Sequence, residues 1–109
     1  MNLQLPDAVA TYFATCNDGN VSRIPGCFCT DATVRDENRT HEGVEAIQSW
    51  QRCVRQAFTY CIEPVSAVSK NGQLTVRTRV TGNFPGSPVM LNHLFTLNNS
   101  RIRSLEIAP

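Results

Sequence analysis

The chain has no apolar run near the roughly 18 to 20 residues that a membrane-spanning helix needs, and its opening, MNLQLPDAV, lacks both a basic leader and a signal-type apolar core. Membrane partners are therefore not expected, and the expected compartment is the cytoplasm. Cys16, Cys27, Cys29, Cys53 and Cys61 are five, an odd number, and none forms a CxxC pair, which argues against a disulfide framework or a zinc ribbon. They read as reduced, mostly packing residues. Cys27-Phe28-Cys29 brings two thiols together, but no pair of histidines accompanies them as a thiophilic metal site would want. Gly-rich phosphate loops and clusters of His with carboxylates are also missing, so no metal and no organic cofactor is expected. Ten basic residues stand against nine acidic ones, for a formal charge of +1, with nothing denser than the spaced pairs Arg77/Arg79 and Arg101/Arg103. That balance speaks against nucleic acid or an anionic membrane surface as a partner. With no repeat, linker or low-complexity tract, residues 1–109 read as one domain with one modest core.

What is present divides by periodicity. Leu5, Val9, Tyr12, Phe13 and Cys16 recur at helical spacing, with Pro6 near the start and Asn17-Asp18-Gly19-Asn20 as a stop. A shorter helical turn is expected over 21–24, ended by Pro25-Gly26. A strand follows to Glu37, then a polar turn about Asn38, then a helix whose apolar stripe is Val44, Ile47, Trp50 or Gln51, Val54 and Phe58. From Tyr60 onward the period drops to two. Asn71-Gly72 predicts a hairpin between strands at 61–70 and 73–84, with Pro64 marking an edge or bulge. Pro85-Gly86 and Asn98-Asn99-Ser100 delimit two further strands, 89–97 and 101–107. Helices followed by an antiparallel meander make the fold class α+β.

Two strands carry anomalies. If 32–37 is extended, Ala32, Val34 and Asp36 share a face, so an acid points the way the apolar residues point. On periodicity alone, Asp36 is either a working carboxylate or an acid that caps the turn or pairs with Arg39. In the strand 89–97, Met90, Asn92, Leu94 and Thr96 lie on one face and Val89, Leu91, His93, Phe95 and Leu97 on the other. Both faces are largely apolar and need cover. Three helices cover one side of a sheet, so a second copy is expected on the other, and the chain reads as a homodimer.

The stretches YFATCNDGN (12–20), FCTDATVRD (28–36), EGVEAIQSW (42–50) and LNHLFTLNNSRIRSL (91–105) resemble SnoaL-like proteins of the nuclear transport factor 2 superfamily, nearest in motif to bacterial ketosteroid isomerase. The resemblance spans nearly the whole chain. It implies a cystatin-like α+β cone in which N-terminal helices pack on a strongly curved antiparallel sheet, usually as a dimer. It implies in turn a small apolar ligand and cofactor-free proton transfer next to a ketone: a carboxylate moves the proton while two donors hold the developing oxyanion. Matched residue by residue, the general base falls on Asp36, the helix-one tyrosine on Tyr12 and the second donor on Asn92, where the isomerase has an aspartic acid. Phe13, Val34, Trp50, Phe58, Met90 and Leu94 are then the expected pocket wall. His93 falls on the far face as a packing or interface residue, and His41 at the rim or in a solvated loop. Because this fold also hosts cyclases, hydrolases and noncatalytic binders, the resemblance leaves a cyclase-type reaction or a carrier as alternatives. The Asp-Arg-Asp arrangement of the limonene epoxide hydrolase type is not found.

Overall fold

Val9, Tyr12, Phe13 and Cys16 form the buried face of α1 (Asp7–Asp18) in the computed structural model, which describes residues 4–109. The helix ends at Gly19, whose φ of 75° lets its N–H turn back onto the Thr15 carbonyl at 2.9 Å. A side chain would be strained there. A 3-10 turn at Val21–Arg23 runs straight into α2 (Ile24–Cys27). Pro25-Gly26 was expected to end this turn, yet both residues lie inside α2. Proline there occupies the first turn, where its missing N–H has no helical partner to lose.

Strand β1 covers Phe28–Asp36 and turns through Glu37 (φ 52°) and Asn38 (φ 64°) into β2 (Arg39–Glu42). Two consecutive positive φ values suit the right-handed twist of a tight hairpin. The sequence Arg39-Thr40-His41-Glu42 was expected to be part of a turn, since it contains no apolar residue to mark a strand. It is an edge strand, held by the backbone ladder that pairs Thr33 with Glu42 and Asp36 with Arg39. Helix α3 (Val44–Ala57) buries Ile47 and Gln51, leaving Trp50 half-buried. The remaining strands are β3 (Tyr60–Lys70), β4 (Gln73–Gly82), β5 (Val89–Asn98) and β6 (Arg101–Ala108), and the β3/β4 register shifts at Pro64–Ser66, where a bulge was expected. Among the described residues, no helix is long and apolar enough to cross a membrane. All five cysteines are free; Cys16 and Cys27 are buried, whereas Cys53 and Cys61 are exposed rather than packed.

The six strands form one sheet in the order β2-β1-β6-β5-β4-β3. All neighbours are antiparallel except β1 and β6, which run parallel, a departure from the fully antiparallel sheet expected. That one parallel pair sets the site, because it aligns inward residues of distant segments in rows. One row reads Val34, Leu105, Phe95, Leu74; the next reads Asp36, Ile107, His93, Val76. The first row is closed by the helices: Val34 and Phe95 are fully buried, and the Tyr12 ring meets Phe28 and Phe95 edge-on, each at a centroid distance of 5.8 Å. The second row lies at the border between core and cavity.

At the open end, β4 finishes on Gly82, paired with Tyr60. A Cβ on Gly82 would strike the Thr59 carbonyl oxygen and lie 2.8 Å from Tyr60 Cβ and 2.9 Å from its Cα. Only glycine admits this backbone approach, which fixes where β3 begins.

Candidate functional site

Between α3, the end of α1 and the inner face of the sheet lies a cavity of about 530 Å³, lined by apolar side chains that include Ile62, Val80, Phe84, Val89, Leu91 and Ile107. A few polar groups enter it: Asp36 from β1, Tyr12 and Cys16 from α1, Gln51 from α3, Tyr60 from β3 and His93 from β5. An apolar concavity with a small set of convergent polar groups is the usual form of a small-molecule site. A second, shallower groove of about 750 Å³ lies on the β2 side of α3, lined by Arg39, His41, Ser49 and Cys53, and shares Asp36, Trp50 and Phe58 with the first. Asp36 and Trp50 therefore stand on the partition between them.

Asp36 is half-buried, and its carboxylate Oδ2 accepts a hydrogen bond from Trp50 Nε1 at 3.2 Å. Burial raises its pKa above the ordinary aspartate value, the indole N–H pulls it back, and neighbouring Glu37 pushes it up again. Such a carboxylate is a stronger base than one in water, yet has a single directional donor to keep it in place. The His41 ring lies 5.6 Å from that of Trp50 and steadies the indole from the groove side.

Tyr12 is almost fully buried, and its pKa is raised well above the usual phenol value, mainly by desolvation. It remains a protonated donor across the physiological range. Beside it lies the Cys16 thiol, which burial pushes up to about 12, so that it too stays protonated. Next along this floor, Gln51 Nε2 donates to the Tyr60 hydroxyl at 2.9 Å. Arg55 secures the same corner by donating to the carbonyls of Cys16 at 3.0 Å and Tyr60 at 3.2 Å.

His93 is the residue that sequence reasoning placed on the wrong side. It is 1% exposed, packed between Phe13 and Phe95, and burial pulls its pKa down to about 4. The ring is neutral at physiological pH. Thr78 Oγ1 donates to the Leu91 carbonyl at 3.1 Å and lies 3.3 Å from His93 Nδ1. That contact ties the ring to β4 through Nδ1.

Asn92, Met90 and Leu94, expected in the pocket, are on the outer face of the sheet. The β4/β5 register explains why: His93 pairs with buried Val76, whereas Asn92 pairs with exposed Arg77 and accepts a hydrogen bond from its guanidinium at 3.1 Å. Of the other expected wall residues, Trp50 and Phe58 do line the cavity. Phe13 and Val34 do not: both are buried in the core, one against Tyr12 and Phe95, the other in the row beneath Asp36. Asp36 and Tyr12 are brought together; Asn92 is not. Gln51 and Tyr60 were not singled out as site residues, although a glutamine at an apolar-stripe position of a helix is a signal for one. Among the described residues, no group of three or more His, Cys, Asp or Glu is placed to hold a metal ion.

Comparison with known proteins gives these findings. A Sinorhizobium meliloti protein provisionally named a polyketide cyclase is 39% identical, with a TM-score of 0.90 over 94% of each chain. A Catenulispora acidiphila protein with a ketosteroid-isomerase-like fold, solved in complex with trimethylamine, is 19% identical, with a TM-score of 0.81 over 97% of this chain and 87% of that one. An epoxide hydrolase/cyclase-like enzyme with a role in pyran-ring formation in the polyether salinomycin is 22% identical, with a TM-score of 0.80 over 94% of this chain and 87% of its own. The last two show likeness of fold alone. No family profile matches the chain, and no curated protein matches it.

Proposed function

The chain belongs to the SnoaL-like family of the nuclear transport factor 2 superfamily, and from that premise we propose that its cone is a cofactor-independent acid–base site for a small apolar ketone. The observation that carries the reading is Asp36: a carboxylate at the edge of an apolar cavity, its pKa raised by burial, held by one indole N–H. In the first step the carboxylate takes a proton from the carbon next to the carbonyl. The C–H electron pair becomes the new C=C bond while the carbonyl π pair moves onto oxygen, where the Tyr12 hydroxyl donates to it. Asp36, now neutral, holds the proton until the enolate has attacked a second carbonyl within the same molecule, and then returns it to the new alkoxide. That is a cyclase-type outcome, and the provisional name of the 39%-identical relative favours it. Return of the proton to a different carbon gives the isomerase outcome, which the pairing of Tyr12 with Asp36 supports as a second reading.

Both outcomes share enolisation, so the test is exchange of α-protons of an apolar methyl ketone for deuterium, followed by NMR in wild type and Asp36→Asn. Exchange by the wild type that is lost in the variant is expected. A wild-type protein that binds the ketone without exchanging it would be a carrier, and the enzymatic reading would fall.

The outer face of the sheet, with Met90 37% and Val68 62% exposed, is where we place a homodimer contact. Sedimentation showing only monomer at tens of micromolar protein would remove that contact.

A further inference from the structure

Enolate chemistry is helped by two donors at the oxyanion, and with Asn92 on the outer face one of the two expected donors, Tyr12, remains at the cavity. We propose that Tyr60 is the second oxyanion donor, with Gln51 and Arg55 as the residues that position it. This rests on the enolisation reading above.

The assignment follows from how the Tyr60 hydroxyl is used. Gln51 Nε2 donates to its oxygen at 2.9 Å, which occupies an acceptor position and leaves the phenolic proton for a partner of its own. Among the described residues no acceptor receives that proton. Tyr60 lines the same cavity as Asp36 and Tyr12. Gln51 is 1% exposed and sits on the apolar stripe of α3, a position where an amide is costly unless its bond matters.

The rest of the corner locks the ring. The Arg55 guanidinium carbon lies 5.1 Å from the Tyr60 ring centroid and its Nη1 holds the Tyr60 backbone carbonyl at 3.2 Å. A cation over the face draws electron density from the phenol and strengthens its O–H as a donor. The Gly82 approach fixes the backbone at Tyr60 from the other side. Tyr12, Cys16 and Tyr60 all line this one cavity. Burial keeps Tyr60 protonated, as a donor must be.

The probe is 2-naphthol, whose hydroxyl oxygen stands in for the enolate oxygen, with naphthalene as the control that fills the cavity without that oxygen. Tyr60→Phe keeps the ring beneath Arg55 and removes only the hydroxyl. It is expected to weaken naphthol binding roughly 3- to 10-fold, the range for a hydrogen bond to a neutral oxygen, and to leave naphthalene binding unchanged. Equal naphthol affinity in wild type and variant would overturn the role of Tyr60 while leaving the enolisation reading standing. A wild type that binds neither compound would overturn both. Naphthol binding that depends on Tyr60 in a protein without ketone exchange would keep the donor and remove the enzyme. Should Tyr60→Phe fail to fold, Gln51→Met provides the second measurement: a loss of about threefold supports the assignment, and unchanged affinity overturns it.

Discussion

Acidification should destabilise this protein through His93 before the bulk of its carboxylates are protonated. Burial among Phe13, Phe95 and Tyr12 holds the ring's pKa at about 4, against 6.5 for a free histidine. As pH falls, the unfolded chain takes up this proton first, so the stability associated with the neutral ring is full above about pH 6.5 and is lost progressively toward pH 4. A gap of some 2.5 units at 1.36 kcal/mol each amounts to about 3 kcal/mol, a large part of the stability of a small domain. Asp36 works the other way, because its raised pKa makes the folded state bind a proton before the unfolded state does. The clean comparison is therefore with His93→Phe. That variant keeps an aromatic ring against Phe13 and Phe95 and lets Thr78 keep its bond to the Leu91 carbonyl. Urea unfolding at about pH 7 and about pH 4 should show the wild-type midpoint falling by roughly 2 M, with the variant's falling far less. A variant that loses as much as wild type across this window would refute the assignment of the acid sensitivity to His93.

The remaining predictions follow from single contacts. Asp36→Asn should abolish ketone exchange while 2-naphthol binding stays the same or tightens, since the amide removes the base and its charge but leaves both tyrosines; weakened binding in that variant would count against Asp36 as base alone. Trp50→Phe deletes the N–H that favours the ionised form of Asp36, so the acidic limb of the exchange profile should move to higher pH, and an unmoved limb would show that the indole bond does not tune the carboxylate. Gly82→Ala should cost about 1 to 3 kcal/mol in urea unfolding, because the added carbon meets backbone rather than a movable side-chain tip. Asn92→Ala should leave naphthol binding unchanged and alter stability by less than about 0.5 kcal/mol, as it removes one exposed bond to Arg77.

The elements were legible wherever apolar spacing or turn chemistry spoke. The helix of Val9, Tyr12, Phe13 and Cys16, the α3 stripe, the Asn71-Gly72 hairpin and the bulge at Pro64 all follow from local pattern. Edge strand β2 was silent because an edge strand needs only backbone partners, and Arg39-Thr40-His41-Glu42 carries no apolar residue. The inward turn of Asp36 was legible from Ala32 and Val34, which share its face. The inward turn of His93 was not, since period two cannot choose between two faces that are both largely apolar. The choice is made by pairing: Val76, Thr78 and Val80 on β4 are all buried, and their partners on β5 are His93, Leu91 and Val89. Burial on β4 was stated in its own sequence, but the pairing that transfers it to β5 is a tertiary fact.

That one-residue difference changes the chemistry more than any change of residue type would. With Asn92 inward, the second donor would be a side-chain amide from β5. With His93 inward, β5 contributes a neutral imidazole whose Nδ1 is engaged with Thr78. The only hydroxyls that line the cavity among the described residues are the phenols of Tyr12 and Tyr60. Both have pKa values raised by burial, so neither loses its proton in the range where Asp36 is ionised. Desolvation raises all three pKa values, and the base and its donors differ in charge because a carboxylate starts far below a phenol, so burial narrows neither the gap nor the roles.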